Sequence, residues 1–367
     1  MNDWFFINNV DDFDTPLLAV YPYRIQQNIQ FAINMAGDIN RLRPHVKTNK
    51  TAEVCTMMRQ AGITKFKCAT IAEAEMLGII EAPDVLLAYQ PIGPKAKRFL
   101  SLINSYPQTS FSCLIDNVKT AEHLNELSET ESTQISVYTD INVGMNRTGI
   151  HPEKAFTLAQ QIKNFSSLNL KGIHAYDGHI HDSDISIRKQ KVETAFEAVT
   201  ILHKQLSSLF QQKLSIVAGG TPTFPVHLQH EEVECSPGTF VFSDWGYKHL
   251  LPDEPFIYAA LVITRIISVI NDETICVDLG HKSVAAENPL PRVHFLNAPE
   301  VIPVSQSEEH LVLKVPPKSR YQIGNVLYGV PVHICPTVAL YDKAYVVNDG
   351  NITNSWNVIA RNRSINI

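Results

Sequence analysis

From residue 15 to about residue 220, short runs rich in β-branched and aromatic residues alternate with longer stretches whose apolar positions recur every three or four residues. Runs of the first kind read as strands: TPLLAVY (15–21), RLRPHVKT (41–48), KFKCAT (65–70), DVLLAYQP (84–91), FSCLID (111–116), ISVYTDINV (135–143), LKGIHAY (170–176) and LSIVAGG (214–220). The intervening stretches read as helices. In TIAEAEMLGIIEA (70–82), Thr70 with Glu73 three residues later forms a capping-box pattern. In residues 187–210, Val192, Ala195, Phe196, Val199, Leu202 and Leu206 fall on one helical face. Strand followed by helix, repeated about eight times, predicts a parallel α/β fold. An open doubly wound sheet is the alternative, but eight units in this length match a (β/α)8 TIM-type barrel, which is the expectation adopted for residues 14–248.

After about residue 250 the pattern changes. FIYAALVITRIISVI, TICVDLG, HLVLKV, NVLYGVPVHIC and KAYVVNDGNIT read as strands with turn signals and no helical period between them. Residues 249–367 are therefore expected to form a mainly β C-terminal domain, and residues 1–13, which fit the barrel repeat poorly, to pack with it.

Composition narrows the function classes. The formal net charge is −6 and the 31 Lys and Arg residues are scattered, so no nucleic-acid footprint is visible and the expected partner is a small molecule. The acidic start, MNDWFFINNVDDFD, has no basic leader, and the run 256–270 is too short to span a bilayer and contains Arg265. The six cysteines are far apart with no CxxC pair, which fits a reducing cytoplasm better than a disulfide framework.

In a barrel of this kind chemistry gathers at the C-terminal ends of the strands. Alternation along residues 41–48 puts Arg41, Arg43, His45 and Lys47 on one face and Leu42, Pro44, Val46 and Thr48 on the other. The apolar face packs on helices, so Lys47 points into the barrel mouth, where desolvation and neighbouring cations favour a neutral, nucleophilic amine. The alternative is a lysine that extends out of the mouth to solvent. Other strand ends carry Asp140, Asn142 and Arg147, then His174, Tyr176, Asp177, His179 and His181. AGGTPT (218–223) and SPGT (236–239) supply Gly219, Gly220, Thr221, Gly238 and Thr239, residue types that cradle an anion or simply make turns. No GKS/T follows a glycine-rich loop, so a nucleotide P-loop is not supported. A lysine with a phosphate cradle suggests pyridoxal 5'-phosphate (PLP). His333 and Cys335 in HICP, two apart on an expected strand, face the same way and suit zinc; a buried His beside an inert Cys is the alternative.

The ordered motifs TPLLAVY, RPHVKTNK, AGITKFKCATIAEAEML, GMNRTG, AYDGH, GGTPT, SPGTFVF and HICPTVALYD resemble the D-threonine aldolase / D-serine dehydratase family, fold-type III PLP enzymes with an alanine racemase-like N-terminal barrel. The resemblance implies that Lys47 binds PLP as a Schiff base and that Arg147 faces the pyridine nitrogen. It implies too that His45 and Tyr176 contact the cofactor, and that Gly220, Thr221, Gly238 and Thr239 hold the phosphate. His333 and Cys335 then match the metal ligands, for zinc, with Mn2+ or Mg2+ as alternatives.

The implied activity is metal-assisted β-elimination of a β-hydroxy-D-amino acid to a 2-oxo acid and ammonia. The alternative is retro-aldol cleavage to glycine and an aldehyde, with His179 as base. Cys335 leans toward the dehydratases, whereas aldolases carry H-x-D. Against this, Asn49 stands where dehydratases have histidine, and HAYDGHIHD is closer to the aldolases. An amino-acid racemase would need a second base and no metal. A non-catalytic PLP carrier would be a barrel alone. The family further implies a homodimer.

Overall fold

The structure, a computed structural model, describes residues 3–367. The chain divides into two compact units. One comprises Ala32–Lys47, Cys55–Gly238 and Asn362–Ile367; the other comprises the chain up to Phe31, Thr48–Val54 and Thr239–Arg361. The first strand, β1 (Leu17–Val20), belongs to the second of these.

The larger unit is built on seven parallel strands in sequential order: β2 (Lys65–Cys68), β3 (Asp84–Leu87), β4 (Ser110–Ile115), β5 (Ile135–Ile141), β6 (Leu168–Ala175), β7 (Ser215–Ala218) and β8 (Val233–Cys235). These strands are short and largely buried, as strands covered on both faces must be. Residues 42–46 join the two edges. Toward β8, the Arg43 and His45 amides donate to the Cys235 and Pro237 carbonyls, each at 2.9 Å. Toward β2, the Val46 amide donates to the Lys67 carbonyl at 2.8 Å and the Lys67 amide to the Pro44 carbonyl at 2.9 Å. The sheet thus closes on itself through a segment too irregular to be a full strand, because Pro44 has no N–H to give.

Local signals start the helices. The Thr70 hydroxyl accepts from the Glu73 amide at 3.1 Å, and the Glu73 carboxylate accepts from the Ala69 amide at 2.6 Å, so the capping box is shifted back by one residue at its return bond. Asp184 caps the helix Ile185–Phe210, which buries Val192, Phe196, Val199, Leu202 and Leu206 as their spacing predicts.

The barrel interior is layered. At the N-terminal end, Arg43 is fully buried, with 2.7 and 2.8 Å bonds to Asp84 and a 2.7 Å bond to Glu234, which also takes Lys65 at 2.5 Å. These charges line a polar cavity of about 480 Å³ and compensate one another. Above them Leu86, Leu114, Tyr138 and Val217 form an apolar layer. The C-terminal end, above that layer, is polar again.

The second unit is a mainly antiparallel β structure. Its strands after β1 are β9 (Ala260–Asn271), β10 (Thr274–Val277), β11 (Val293–Phe295), β12 (Ile302–Gln306), β13 (Leu311–Lys314), β14 (Val326–Pro331), β15 (Lys343–Asn348) and β16 (Asn351–Asn357). Their order is β12-β13-β10-β9-β1-β15-β16, with β14 joining β9 to β11. Phe5, Ile7 and Val10 pack with Leu17, Tyr328 and Val330 in its core.

Three expectations are corrected. Residues 15–21 are not a barrel strand: β1 pairs with β15 and β9. An apolar run buried on both faces announces a strand but not the sheet it enters. The remaining barrel strand is β8, only three residues long, in a stretch that the sequence pattern assigned to no element. Finally, His333 and Cys335 do not lie on a strand. β14 ends at Pro331, His333 is the N-cap of the short helix Ile334–Val338, and Cys335 lies in its first turn, where Pro336 is tolerated.

Arg43→Ala strands Asp84 and Glu234 without their cation. Urea unfolding should show a loss of about 3 kcal/mol; an unchanged midpoint would mean that the ion cluster does not hold the barrel floor.

Candidate active site

The C-terminal end of the barrel opens into a cavity of about 420 Å³. The closing segment contributes His45 and Lys47, β2 contributes Lys67, and the end of β6 contributes His174 and Tyr176. Lys47 is half-buried and its amide donates to His45 Nδ1 at 3.3 Å. Three cationic groups surround the Tyr176 ring: Lys47 Nζ at 5.9 Å, Lys67 Nζ at 5.5 Å and the Arg147 guanidinium at 5.2 Å from its centroid. A Cβ on Gly178 would come within 2.4 Å of that ring, so any larger residue there would push the ring from its place.

Two buried carboxylates, Asp177 and Asp140, oppose this positive charge at Lys67. Asp140, on β5, accepts from Gln90 at 3.0 Å and bonds His174 Nδ1 at 2.7 Å. Burial would push the Asp140 carboxyl up, but the bonds from His174 and Gln90 outweigh it and hold it below its ordinary value. Burial pushes His174 down, assisted by Lys67 and Arg147 and opposed by Asp140. An ionised Asp140 only accepts, so the Nδ1–H donates and His174 Nε2 keeps its lone pair. That Nε2 is buried and unpartnered.

The glycine loops meet on the same side of the barrel. The Gly238 amide donates to Thr221 Oγ1 at 3.1 Å, and the Gly220 amide donates to Thr223 Oγ1 at 3.3 Å. Asp177 pins the first loop through Thr223 at 2.9 Å and His227 at 2.7 Å. Gly219 has a φ of +75°, and a Cβ there would strike His227 at 2.6 Å. The Ser236 hydroxyl in the second loop is buried without a partner. Glycine backbone, threonine hydroxyls and an orphaned serine hydroxyl fit the phosphate of PLP.

Thr239 belongs to the β unit. There its hydroxyl lies 3.4 Å from Cys335 Sγ, and the Thr48 hydroxyl lies 3.1 Å from the same sulfur. His333 Nδ1 is 2.6 Å from Glu287 Oε1. Burial pushes the His333 imidazole down, but Cys335, Asp244 and Glu287 outweigh it and raise it to about 9. Imidazole and thiol in contact, with a carboxylate behind the imidazole, suit zinc and leave coordination positions open. Among the described residues no group of three His, Cys, Asp or Glu side chains is arranged around a metal position.

Of the residues singled out in the sequence, His45, Lys47, Arg147 and Tyr176 line one cavity, Gly220, Thr221 and Gly238 form the adjoining loops, and Thr239, His333 and Cys335 meet in the β unit. His179 is exposed beside Gly144 and does not line the cavity. Asn49 is buried and accepts from the Thr51 amide at 3.1 Å, just ahead of the helix Ala52–Gln60. Sequence reasoning passed over Lys67, although its alternation with Lys65 puts both on one face of β2.

The alanine racemase N-terminal domain matches residues 21–244, and a putative serine dehydratase domain matches residues 259–347. The chain belongs to the alanine racemase N-terminal domain family, in the two-domain form of the fold-type III, PLP-dependent lyases. It is 26% identical to the D-threonine aldolase of an Arthrobacter species over 95% of this chain and 93% of that one. The crystal structure of D-threonine aldolase from Filomicrobium marinum superposes with a TM-score of 0.88 at 24% identity, covering 95% of this chain and 96% of that one. D-threo-3-hydroxyaspartate dehydratase from Delftia sp. HT23 gives a TM-score of 0.83 at 20% identity over 94% and 97% of the two chains. No helix among the described residues is long and apolar enough to cross a membrane.

Lys67 supplies a pH signature. Burial first, and the charge of Lys47 second, push its amine down to about 7, against weaker opposition from Asp177 and Asp140. Between that value and its ordinary one near 10.4, the unfolded chain binds the extra proton, so stability rises with pH across this window. The wild type should gain on the order of 4 kcal/mol from pH 7 to 10.5 relative to Lys67→Met. Parallel unfolding curves at all pH values would show that Lys67 carries no such penalty.

Proposed function

We propose that the protein is a PLP- and divalent-metal-dependent lyase acting on a β-hydroxy-D-amino acid, by D-serine dehydratase-type β-elimination to a 2-oxo acid and ammonia. The observation that carries the reading is the barrel-mouth cavity, with half-buried Lys47 among cations and the Thr221–Gly238 loops beside it.

Bound PLP supplies an aldehyde for covalent attachment and a ring that spreads carbanion charge. Lys47 would be the attachment point, and its amine would be placed to take a proton from the substrate's Cα. Arg147 would hold the pyridine side; a guanidinium does not give up its proton, so it would not supply one to the ring nitrogen. Tyr176, fixed by the close approach of Gly178 and Gly220, forms a wall against which the ring is held. Gly220, Thr221, Ser236 and Gly238, with Thr239, would bind the phosphate. His333 and Cys335 would hold the metal, with Glu287 orienting the imidazole, and zinc is the ion these donors suit best. The metal would lend Lewis acidity to the substrate hydroxyl.

Retro-aldol cleavage to glycine and an aldehyde is the second reading, favoured by the likeness to the D-threonine aldolases. Cys335 in place of the aspartate of H-x-D supports elimination, and His179, as the base the cleavage needs, gains no support from its exposed position. Six free thiols and a compact soluble-type composition support a cytoplasmic enzyme. The family likeness supports a homodimer.

Lys47→Ala should abolish the visible band of bound PLP, and an intact band would contradict the attachment site. Cys335→Ala should lose bound metal and at least about 100-fold in kcat together; full activity after exhaustive chelation would remove the metal from the account. With D-serine, D-threonine and D-threo-3-hydroxyaspartate as substrates, ammonia and 2-oxo acid should accumulate in equal amounts. Glycine and aldehyde as the sole products would select the second reading.

A further inference from the structure

Arg147 lines the cavity and its guanidinium stands over Tyr176, yet the residue is exposed and its side chain makes no hydrogen bond to another described residue. Its N–H donors are unspent, so its place depends on the backbone that carries it. That backbone is the loop 142–150, which leaves β5 and returns to it. The Asn142 amide donates to the Ile150 carbonyl at 3.0 Å, and the Ile150 amide to the Asp140 carbonyl at 2.9 Å. Within the loop, Asn142 Oδ1 accepts from the Gly144 and Asn146 amides at 3.0 and 3.1 Å. Gly149 has a φ of +96°, and a Cβ there would meet the Asn142 amide nitrogen at 2.7 Å, so a larger residue would force the loop open.

These bonds join the loop only to itself and to β5. Its tie to a different strand is the Gly149 amide, which donates at 3.1 Å to Oδ2 of Asp116, the residue that follows β4. The same Oδ2 accepts from Gln90 Nε2 at 3.1 Å, and that Nε2 also donates to Asp140 Oδ2 at 3.0 Å. The two N–H groups of one amide thus hold two carboxylates. With Asp140 bonded to His174, hydrogen bonds run unbroken from Gly149 through Asp116, Gln90 and Asp140 to His174. Asp116 does not line the cavity, and the helix Val118–Thr130 takes its cap from Asn117, so Asp116 is not spent on either.

We propose that Asp116 is a positioning residue for Arg147. By accepting from the Gly149 amide it fixes the loop 142–150, so the guanidinium is presented to the cavity before a ligand arrives. Without that anchor, a long exposed side chain on a loose loop would have to be ordered on binding, at a cost in affinity. The hydrogen bond is what matters: asparagine at 116 keeps an oxygen for Gly149 and Gln90, whereas alanine removes it.

This inference rests on the proposed binding of PLP in the cavity, and the test has one arm that needs no PLP. Amide hydrogen exchange of the full chain is followed by mass spectrometry. In Asp116→Ala, segment 142–150 should exchange about tenfold faster than in the wild type, with β4 within about twofold, and Asp116→Asn should stay within about threefold throughout. Unchanged exchange in Asp116→Ala would overturn the anchor. Faster exchange in β4 as well would mark a general structural role and overturn the positioning one. In the second arm, PLP affinity is read by titrating the visible band. Asp116→Ala should weaken binding by about tenfold in the wild-type background and by less than about threefold in Arg147→Ala, because nothing is left to position. An equal loss in both backgrounds would overturn action through Arg147. A loss in Asp116→Asn as large as in Asp116→Ala would overturn the hydrogen bond in favour of the charge. Absence of the band from the wild type would instead defeat the functional reading, while the exchange arm still decides the anchor.

Discussion

Closure of the parallel sheet by residues 42–46 is the constraint on which the rest of the larger unit depends. Four backbone hydrogen bonds, two to Cys235 and Pro237 and two to β2, fix the register of this segment on both sides. With register fixed, alternation decides where each side chain goes. Leu42 and Val46 are buried, Arg43 drops to the ion cluster at the barrel floor, and His45 and Lys47 turn into the upper cavity. A slip of one residue would exchange the polar and apolar sets, putting arginine, histidine and lysine among the helices. The Arg43 ion cluster and the segment's hydrogen bonds therefore serve the position of Lys47 as much as they serve stability.

The interior above the floor follows from the same register. An apolar layer separates two polar ends that differ in kind. At the lower end cations and carboxylates meet within hydrogen-bonding distance and compensate. At the upper end Lys47, Lys67 and Arg147 meet buried carboxylates that are already engaged, Asp140 with His174 and Gln90 and Asp177 with His227 and Thr223. A cation-rich cavity with unspent hydrogen-bonding capacity costs stability in the empty protein and is suited to an anionic occupant. PLP would bring a phosphate and a ring oxygen to such a place. Pairing the lower end for strength and leaving the upper end underpaired is a division between stability and reactivity within one barrel.

Much of this was legible in the residues. Alternation along RLRPHVKT selected Lys47, periodicity located the long helix 185–210, and Thr70 with Glu73 marked a helix start that the structure contains. The strand–helix alternation, and its loss after about residue 250, indicated the two-part α/β and β architecture. What remained hidden was decided by tertiary contacts. β1 is apolar on both faces and carries no mark of its parallel partner β15, more than 300 residues away in sequence. β8 is three residues long, and His333-x-Cys335 sits on a helical turn because β14 ends at Pro331. Lys67 looked like one more strand lysine. Only its burial and the lack of a bonded carboxylate among the described residues distinguish it from Lys65.

The account's central claim is that the barrel-mouth cavity holds PLP through one particular lysine, and reductive trapping addresses it most directly. The purified protein is loaded with PLP, reduced with borohydride and digested, and the phosphopyridoxyl-lysine peptide is identified by mass spectrometry. The structure predicts a single adduct, on Lys47. An adduct on Lys67 or Lys50 instead, or none on any lysine of the cavity, would contradict it.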